Sequence, residues 1–155
     1  MAVSLSIGAD HRGANLKWTI IGTFYPVLVG DLRNIKPDIK ESTAVDYPDI
    51  VKEFAETFKF YSHGILICGS GHGMCISANR YKGIRAAVCR TVKEVKQARL
   101  HNNLNVLCLG ADYTNKSQAL KLVDAFLVTE FSGTPCHARR IKSIDKDQAT
   151  SPPLA

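Results

Sequence analysis

The 155-residue chain is 45% apolar and 22% charged, which suits one hydrophobic core and excludes disordered, collagen-like and low-complexity classes. Twenty basic against fourteen acidic residues leave a net charge of +6, a surplus that favours anionic partners without choosing among phosphorylated metabolites, nucleic acid and acidic membranes. Five cysteines scattered through apolar runs speak against a disulfide framework and for a reducing, cytoplasmic compartment.

Taken in chain order, short apolar runs recur at the spacing of strand–helix units. Val3–Gly8 alternates and stops at a glycine, a first strand; Gly13–Phe24 sets Leu16, Ile20 and Phe24 about one turn apart, a helix. Val27–Val29 predicts a short second strand, and 34–47 a long loop. Pro48 opens a helix whose apolar face is Val51, Phe54, Ala55 and Phe58. Gly64–Cys68 is a continuous apolar run of the kind buried on both faces of a parallel sheet, followed by the glycine-rich turn Gly69–Gly73 and a helix over Met74–Arg80. Ile84–Cys89 predicts a strand, Val92–Leu100 a helix, Asn105–Leu109 a strand, Ser117–Val128 an amphipathic helix and His137–Ile144 a last basic helix. The expectation is one domain over 1–145 and a flexible tail over 146–155. Its class is α/β: a three-layer, Rossmann-like doubly wound sheet of about five parallel strands with an extra C-terminal helix. Ligands in such sheets bind beyond the carboxyl ends of the strands, which directs attention to the loops after Gly8, Val29, Cys68, Val88 and Leu109.

No stretch approaches the ~18 apolar residues of a membrane span, and MAVSLSIGAD lacks the leader of a secretory signal. No CxxC or paired Cys/His spacing implies a metal. No basic stripe with interleaved aromatics points to nucleic acid.

Four constellations carry possible chemistry. Cys68-Gly-Ser-Gly-His-Gly73 places a strand-end cysteine before alternating glycines whose N–H groups can hold an oxyanion or phosphate; its poor fit to GxGxxG, and its place after the third strand, argue against a dinucleotide site. Cys68 is either a small buried hydrophobe or a thiolate favoured by adjacent amides. Ala9-Asp10-His11-Arg12-Gly13 offers groups that grip hydroxyls and phosphate, or simply a capping Asp10 beside a solvated Arg12. His101-Asn102-Asn103 supplies either a proton donor or a helix end with an asparagine in the left-handed conformation. His137, Arg139, Arg140 and Lys142 form a phosphate clamp or a solvated basic face. His72 lies inside the glycine loop, His63 reads as structural, and Tyr47 either stacks on a sugar or packs. Cys75, Cys89 and Cys108 read as packing.

Together GADHRG at 8–13, DYP at 46–48, GILICGSGHGM at 64–74, SANR at 77–80, GIRAAVC at 83–89 and ARLHNN with NVLCLGA across 98–111 resemble the type B ribose-5-phosphate isomerases. These belong to the sugar-phosphate isomerases that also include the galactose-6-phosphate isomerase subunits. The likeness spans about residues 3–145. It implies aldose–ketose isomerisation through an enediolate without metal or organic cofactor, with ribose 5-phosphate and ribulose 5-phosphate as the first substrate pair. By the same resemblance Cys68 is the proton base, because Met74 stands where a related branch has a glutamate. Gly69, Ser70, Gly71, His72 and Gly73 hold the enediolate oxygen, His101 opens the sugar ring, and Asp10, His11, Tyr47, Asn102 and Arg140 contact substrate. The family is a homo-oligomer, dimer or tetramer, with the pocket at the subunit interface. Two positions depart from it: Asp112 and Cys136 stand where the family has arginine, which leaves a tetrose, hexose or unphosphorylated sugar, or a non-catalytic sugar-phosphate-binding role, as alternatives.

Overall fold

The computed structural model describes residues 2–150, with side chains described through residue 147. Five strands, β1 (Val3–Ala9), β2 (Val29–Asn34), β3 (His63–Cys68), β4 (Ala86–Val88) and β5 (Val106–Gly110), form one parallel sheet in the order β2-β1-β3-β5-β4. Six helices accompany them: α1 (Ala14–Phe24), α2 (Tyr47–Phe58), α3 (His72–Ala78), α4 (Val92–Asn102), α5 (Lys116–Val128) and α6 (Pro135–Thr150). The α/β class and the doubly wound sheet are as the alternation of runs predicts.

β3 and β5 occupy the middle of the sheet and are buried along their whole length, the reason HGILIC and VLCLG are apolar without alternation. The chain winds left from β1 to β2 and right from β3 to β4. Right-handed crossovers therefore put the helices of opposite travel on opposite faces. One layer holds α1 and α4, each packed against α5, and the other α2 against α3. The first covers Leu5, Ile7, Ile65, Ile67, Leu107 and Leu109; the second covers Leu66, Cys68, Val106 and Cys108.

Three boundaries differ from the periodicity. β2 lies at Val29–Asn34 and not at Val27–Val29: as an edge strand it is mostly solvent-exposed and reads VGDLRN, while the more apolar Val27 is 78% exposed in the preceding turn. Edge strands need no apolar run, so pattern alone misplaces this one. β4, the opposite edge, is shorter than expected. The last helix begins at Pro135 and continues to Thr150, so the helix runs through the first residues assigned to a flexible tail; positions 151–155 of that tail lie outside the described residues.

Candidate functional site

The outgoing loop of β1 turns toward the α1 layer and that of β3 toward the α3 layer, which opens a crevice at their carboxyl ends. Asp10, 5% exposed, accepts hydrogen bonds at Oδ1 from the N–H groups of Arg12 (2.9 Å) and Gly13 (3.2 Å). Asp10 thus closes the turn that leads into α1, whose N-cap is Gly13 without a side-chain cap, and its Oδ2 has no hydrogen-bond partner among the described residues. His11 Nδ1 accepts from the Val45 N–H at 3.4 Å, so the neutral ring carries its proton on Nε2. That bond ties the β1 loop to the segment between β2 and α2. The same segment is anchored by fully buried Lys17, whose Nζ donates to the carbonyls of Ile35 and Lys36 at 3.2 Å each; burial pulls this amine below its ordinary pKa.

Cys68 ends β3 with its thiol on the α2/α3 side, 5% exposed. The Gly71 N–H donates to its Sγ at 3.2 Å. Gly71 reaches that geometry at φ +83, where a side chain is strained and a Cβ would lie 3.1 Å from the Leu109 carbonyl carbon. The loop is pinned onto β5 by Ala111 N–H to Cys68 O (2.8 Å) and Asp112 N–H to Gly69 O (2.9 Å), and the Ser70 hydroxyl accepts from the His72 N–H at 3.2 Å. The Tyr47 ring lies directly on Gly73: a Cβ there would be 2.7 Å from a ring carbon. Asp10, His11, Tyr47, Cys68 and the loop from Gly69 to Gly73 therefore share one end of the molecule.

Two further features rim this loop. Arg12 Nη2 donates to both oxygens of Asp112 at 2.6 Å, and the pair sits over Gly69, whose hypothetical Cβ would be 2.8 Å from Arg12 Nε and 2.9 Å from Asp112 Oδ2. Asp112 raises the guanidinium pKa, first by hydrogen bonding and then by charge. On the other side Arg90 lies 4.9 Å from the centre of the Tyr113 ring, with Nη2 3.5 Å from His72 Nε2. Motif reading passes over Arg90 and Tyr113; the available signal was position, since they follow the carboxyl ends of β4 and β5.

His101, Asn102 and Arg140 are elsewhere. α4 runs back along the sheet and ends just before β5 begins, so His101 and Asn102 lie at the amino edge. β5 pairs with β3 from Gly64↔Val106 to Cys68↔Gly110, and that length of strand, about 13 Å, lies between the two edges. His101 lies against His137 of α6, ring centres 4.5 Å apart and planes tilted by 37°, and exposed Arg140 follows three residues later on the same helix. Asn103, not Asn102, takes the left-handed capping conformation (φ 47), which leaves Asn102 exposed on the last turn. Exposed Cys136 opens α6.

The remaining cysteines are mostly packing groups. Cys108 is fully buried, and burial pushes Cys89 up to about 11. Cys75 is the exception: half-buried, it is lowered to about 7, chiefly by a hydrogen bond from the Cys108 thiol. Among the described residues no cluster of His, Cys, Asp or Glu is arranged to hold a metal ion, and no helix is long and apolar enough to cross a membrane.

The Ribose/Galactose Isomerase family model matches residues 5–144. The chain belongs to that family. It is 37% identical over 147 residues to a probable ribose-5-phosphate isomerase B of Mycoplasma genitalium, covering 93% of this chain and 95% of the relative. It is 38% identical over 134 residues to the D-erythrulose-4-phosphate isomerase of Pectobacterium atrosepticum, covering 84% and 86%. Among solved structures, ribose-5-phosphate isomerase B from Mycoplasma genitalium with bound ribulose 5-phosphate superposes with a TM-score of 0.89 at 34% identity, over 97% of this chain and 99% of that one. The chain is a sugar-phosphate isomerase of the type B ribose-5-phosphate isomerase family, and its reaction class is aldose–ketose isomerisation.

Proposed function

We propose that the protein interconverts ribose 5-phosphate and ribulose 5-phosphate with Cys68 as the proton-transfer base. The observation that carries this reading is the Cys68 thiol at the end of β3, accepting the Gly71 N–H at 3.2 Å in front of the glycine loop. In the open-chain aldose the Cys68 thiolate takes the proton from C2, and the electron pair moves through C1–C2 to leave negative charge on O1. Backbone N–H groups of the Gly69–Gly73 loop hold that charge, an oxyanion-hole contribution of about 3 kcal/mol per donor. O1 then gains a proton, O2 loses one, and the proton on sulfur returns to C1, so atoms balance without a co-reactant. In this reading Asp10 Oδ2 accepts from sugar hydroxyls, the His11 Nε2–H donates to a sugar oxygen, and the Tyr47 ring walls the pocket beside Gly73.

Ring opening falls to His101, with Asn102 and Arg140 as substrate contacts. Since these lie at the amino edge, the reading includes a homo-oligomer in which each pocket combines the carboxyl edge of one copy with the amino edge of another. A reducing cytoplasm accords with five free cysteines. Asp112 and Cys136 favour a second reading, the same chemistry on another sugar phosphate such as a tetrose phosphate.

Deuterium exchange at C2 across a panel of aldoses and aldose phosphates tests the proposal. Exchange with ribose 5-phosphate that disappears in Cys68→Ala supports it, and exchange that survives without the thiol overturns the base. Faster exchange with a tetrose phosphate selects the second reading, and none with any sugar leaves a binding protein.

A further inference from the structure

Successive residues of a strand face opposite sides, so Cys68 and Gly69 present the two flanks of the β3 end. The thiol lies on the α2/α3 flank, and the Arg12–Asp112 pair covers the other. This pair joins residues 100 positions apart. Its side chains are 54% and 44% exposed, and exposed ion pairs contribute about 0–1 kcal/mol, so it has little value as a stability device. Its geometry is more telling. Both carboxylate contacts use one nitrogen, Nη2; Nε and Nη1 have no hydrogen-bond partner among the described residues. The root of the side chain is fixed as well, because Asp10 Oδ1 holds the backbone N–H groups of Arg12 and Gly13. A guanidinium clamped at its base and at one tip, with its remaining donors unengaged, is preorganised for an oxyanion.

We propose that Arg12, presented by Asp112, is the anion-binding arm of this pocket, taking phosphate oxygens of the substrate with the nitrogens that Asp112 leaves unbonded. The inference rests on the isomerase reading above and assigns the phosphate end of its substrate. Asp112 is a positioning residue: it touches the arm, not the phosphate. Its charge repels phosphate while its hydrogen bonds hold the arm in place. The sign of its effect must therefore depend on Arg12.

The test is steady-state kinetics with ribose 5-phosphate and with unphosphorylated ribose, together with calorimetric binding of inorganic phosphate. The variants are Arg12→Ala, Arg12→Lys, Asp112→Ala and the Arg12→Ala/Asp112→Ala double. Charge-assisted hydrogen bonds of this kind predict that Arg12→Ala raises KM for ribose 5-phosphate and weakens phosphate binding by about 10- to 100-fold. kcat, and kcat/KM for ribose, stay within about threefold. Arg12→Lys recovers part of the loss. Asp112→Ala raises KM in the presence of Arg12 and lowers it in its absence. Unchanged phosphate binding in Arg12→Ala, or an equal loss with ribose, overturns the assignment. Asp112→Ala lowering KM in both backgrounds overturns presentation. Wild type that turns over no sugar yet loses phosphate binding in Arg12→Ala defeats the isomerase reading and leaves the arm standing; an active enzyme indifferent to Arg12 does the reverse.

Discussion

At the carboxyl edge of the sheet nearly every candidate group is fastened within the chain. Asp10 is tied to two backbone amides, His11 to Val45, Cys68 to Gly71, Ser70 to His72, and Arg12 to Asp112. At the amino edge His101 and Arg140 are exposed on helix surfaces; the His101 ring lies tilted against His137, whose Nδ1 shares a hydrogen bond with the Ser132 hydroxyl at 3.1 Å. A preorganised site keeps its geometry through such internal bonds; the His101–His137 pair has one ring exposed and the other half-buried. The first edge is fixed from within the chain; under the oligomer proposed above, the second is completed by another copy.

The largest effect that breaks or sharpens this contrast comes from mixing two inactive proteins. If the two edges meet between copies, Cys68→Ala and His101→Ala each lose activity, by about 10²- to 10⁴-fold for a proton-transfer group. Co-refolded in equal amounts as dimers, they recover about a quarter of wild-type activity, because half the dimers carry one intact site. No recovery in gel-filtered mixed dimers means that the pocket is completed within one chain.

A buried titrating group at the amino end of β3 gives the next largest effect. The Ser62 hydroxyl donates to Ser4 O, so His63 Nδ1–H donates to Ser62 Oγ at 2.9 Å and the buried Nε2 lone pair has no partner. Burial, reinforced by Arg99, lowers His63 to about 4. Between about pH 6.5 and 4 the unfolded chain takes up a proton here that the folded chain does not. Stability is therefore full above about pH 6.5 and falls as the pH drops to about 4, by about 3 kcal/mol. Urea midpoints across this range check it: His63→Gln flattens the slope, and an unchanged slope places the acid sensitivity elsewhere.

Gly71→Ala tests the fastening of the carboxyl edge. Holding a side chain at φ +83 costs about 1–2 kcal/mol, and the displaced N–H no longer points at Cys68. Thermal melts register a loss of that size, and kcat falls further than stability does; if Arg12 holds the phosphate as proposed, KM for the phosphorylated sugar changes little.

The contrast between the edges also explains what was legible in the chain. GILIC and NVLCLG announce β3 and β5 because central strands are apolar throughout, and Gly-Ser-Gly after Cys68 announces a tight turn at a ligand-bearing end. VGDLRN does not announce β2, since an edge strand faces water. Position alone marked Arg90 and Tyr113, and no local pattern pairs Arg12 with Asp112, because that contact exists only once β1, β3 and β5 lie side by side. His101 was readable as a residue type and not as a place: nothing local says that α4 carries it to the edge opposite Cys68.

The smallest expected effect tests the loosely held edge directly. His137 stacks on His101, but both rings are reached by solvent on a helix–helix surface, and substitutions at such places change stability by no more than about 0.5 kcal/mol. His137→Ala should leave the thermal midpoint nearly unchanged. The stack nevertheless limits where the His101 ring points, and a general acid or base works only within hydrogen-bond reach of its proton. If His101 opens the sugar ring as proposed, loss of this contact lowers kcat severalfold on cyclic substrate, with the acyclic sugar less affected. His137→Phe keeps a stacking ring and restores most of the rate. Equal losses on cyclic and acyclic substrate, or a large drop in stability, would show that this edge is fastened like the other one and that the two differ only in exposure.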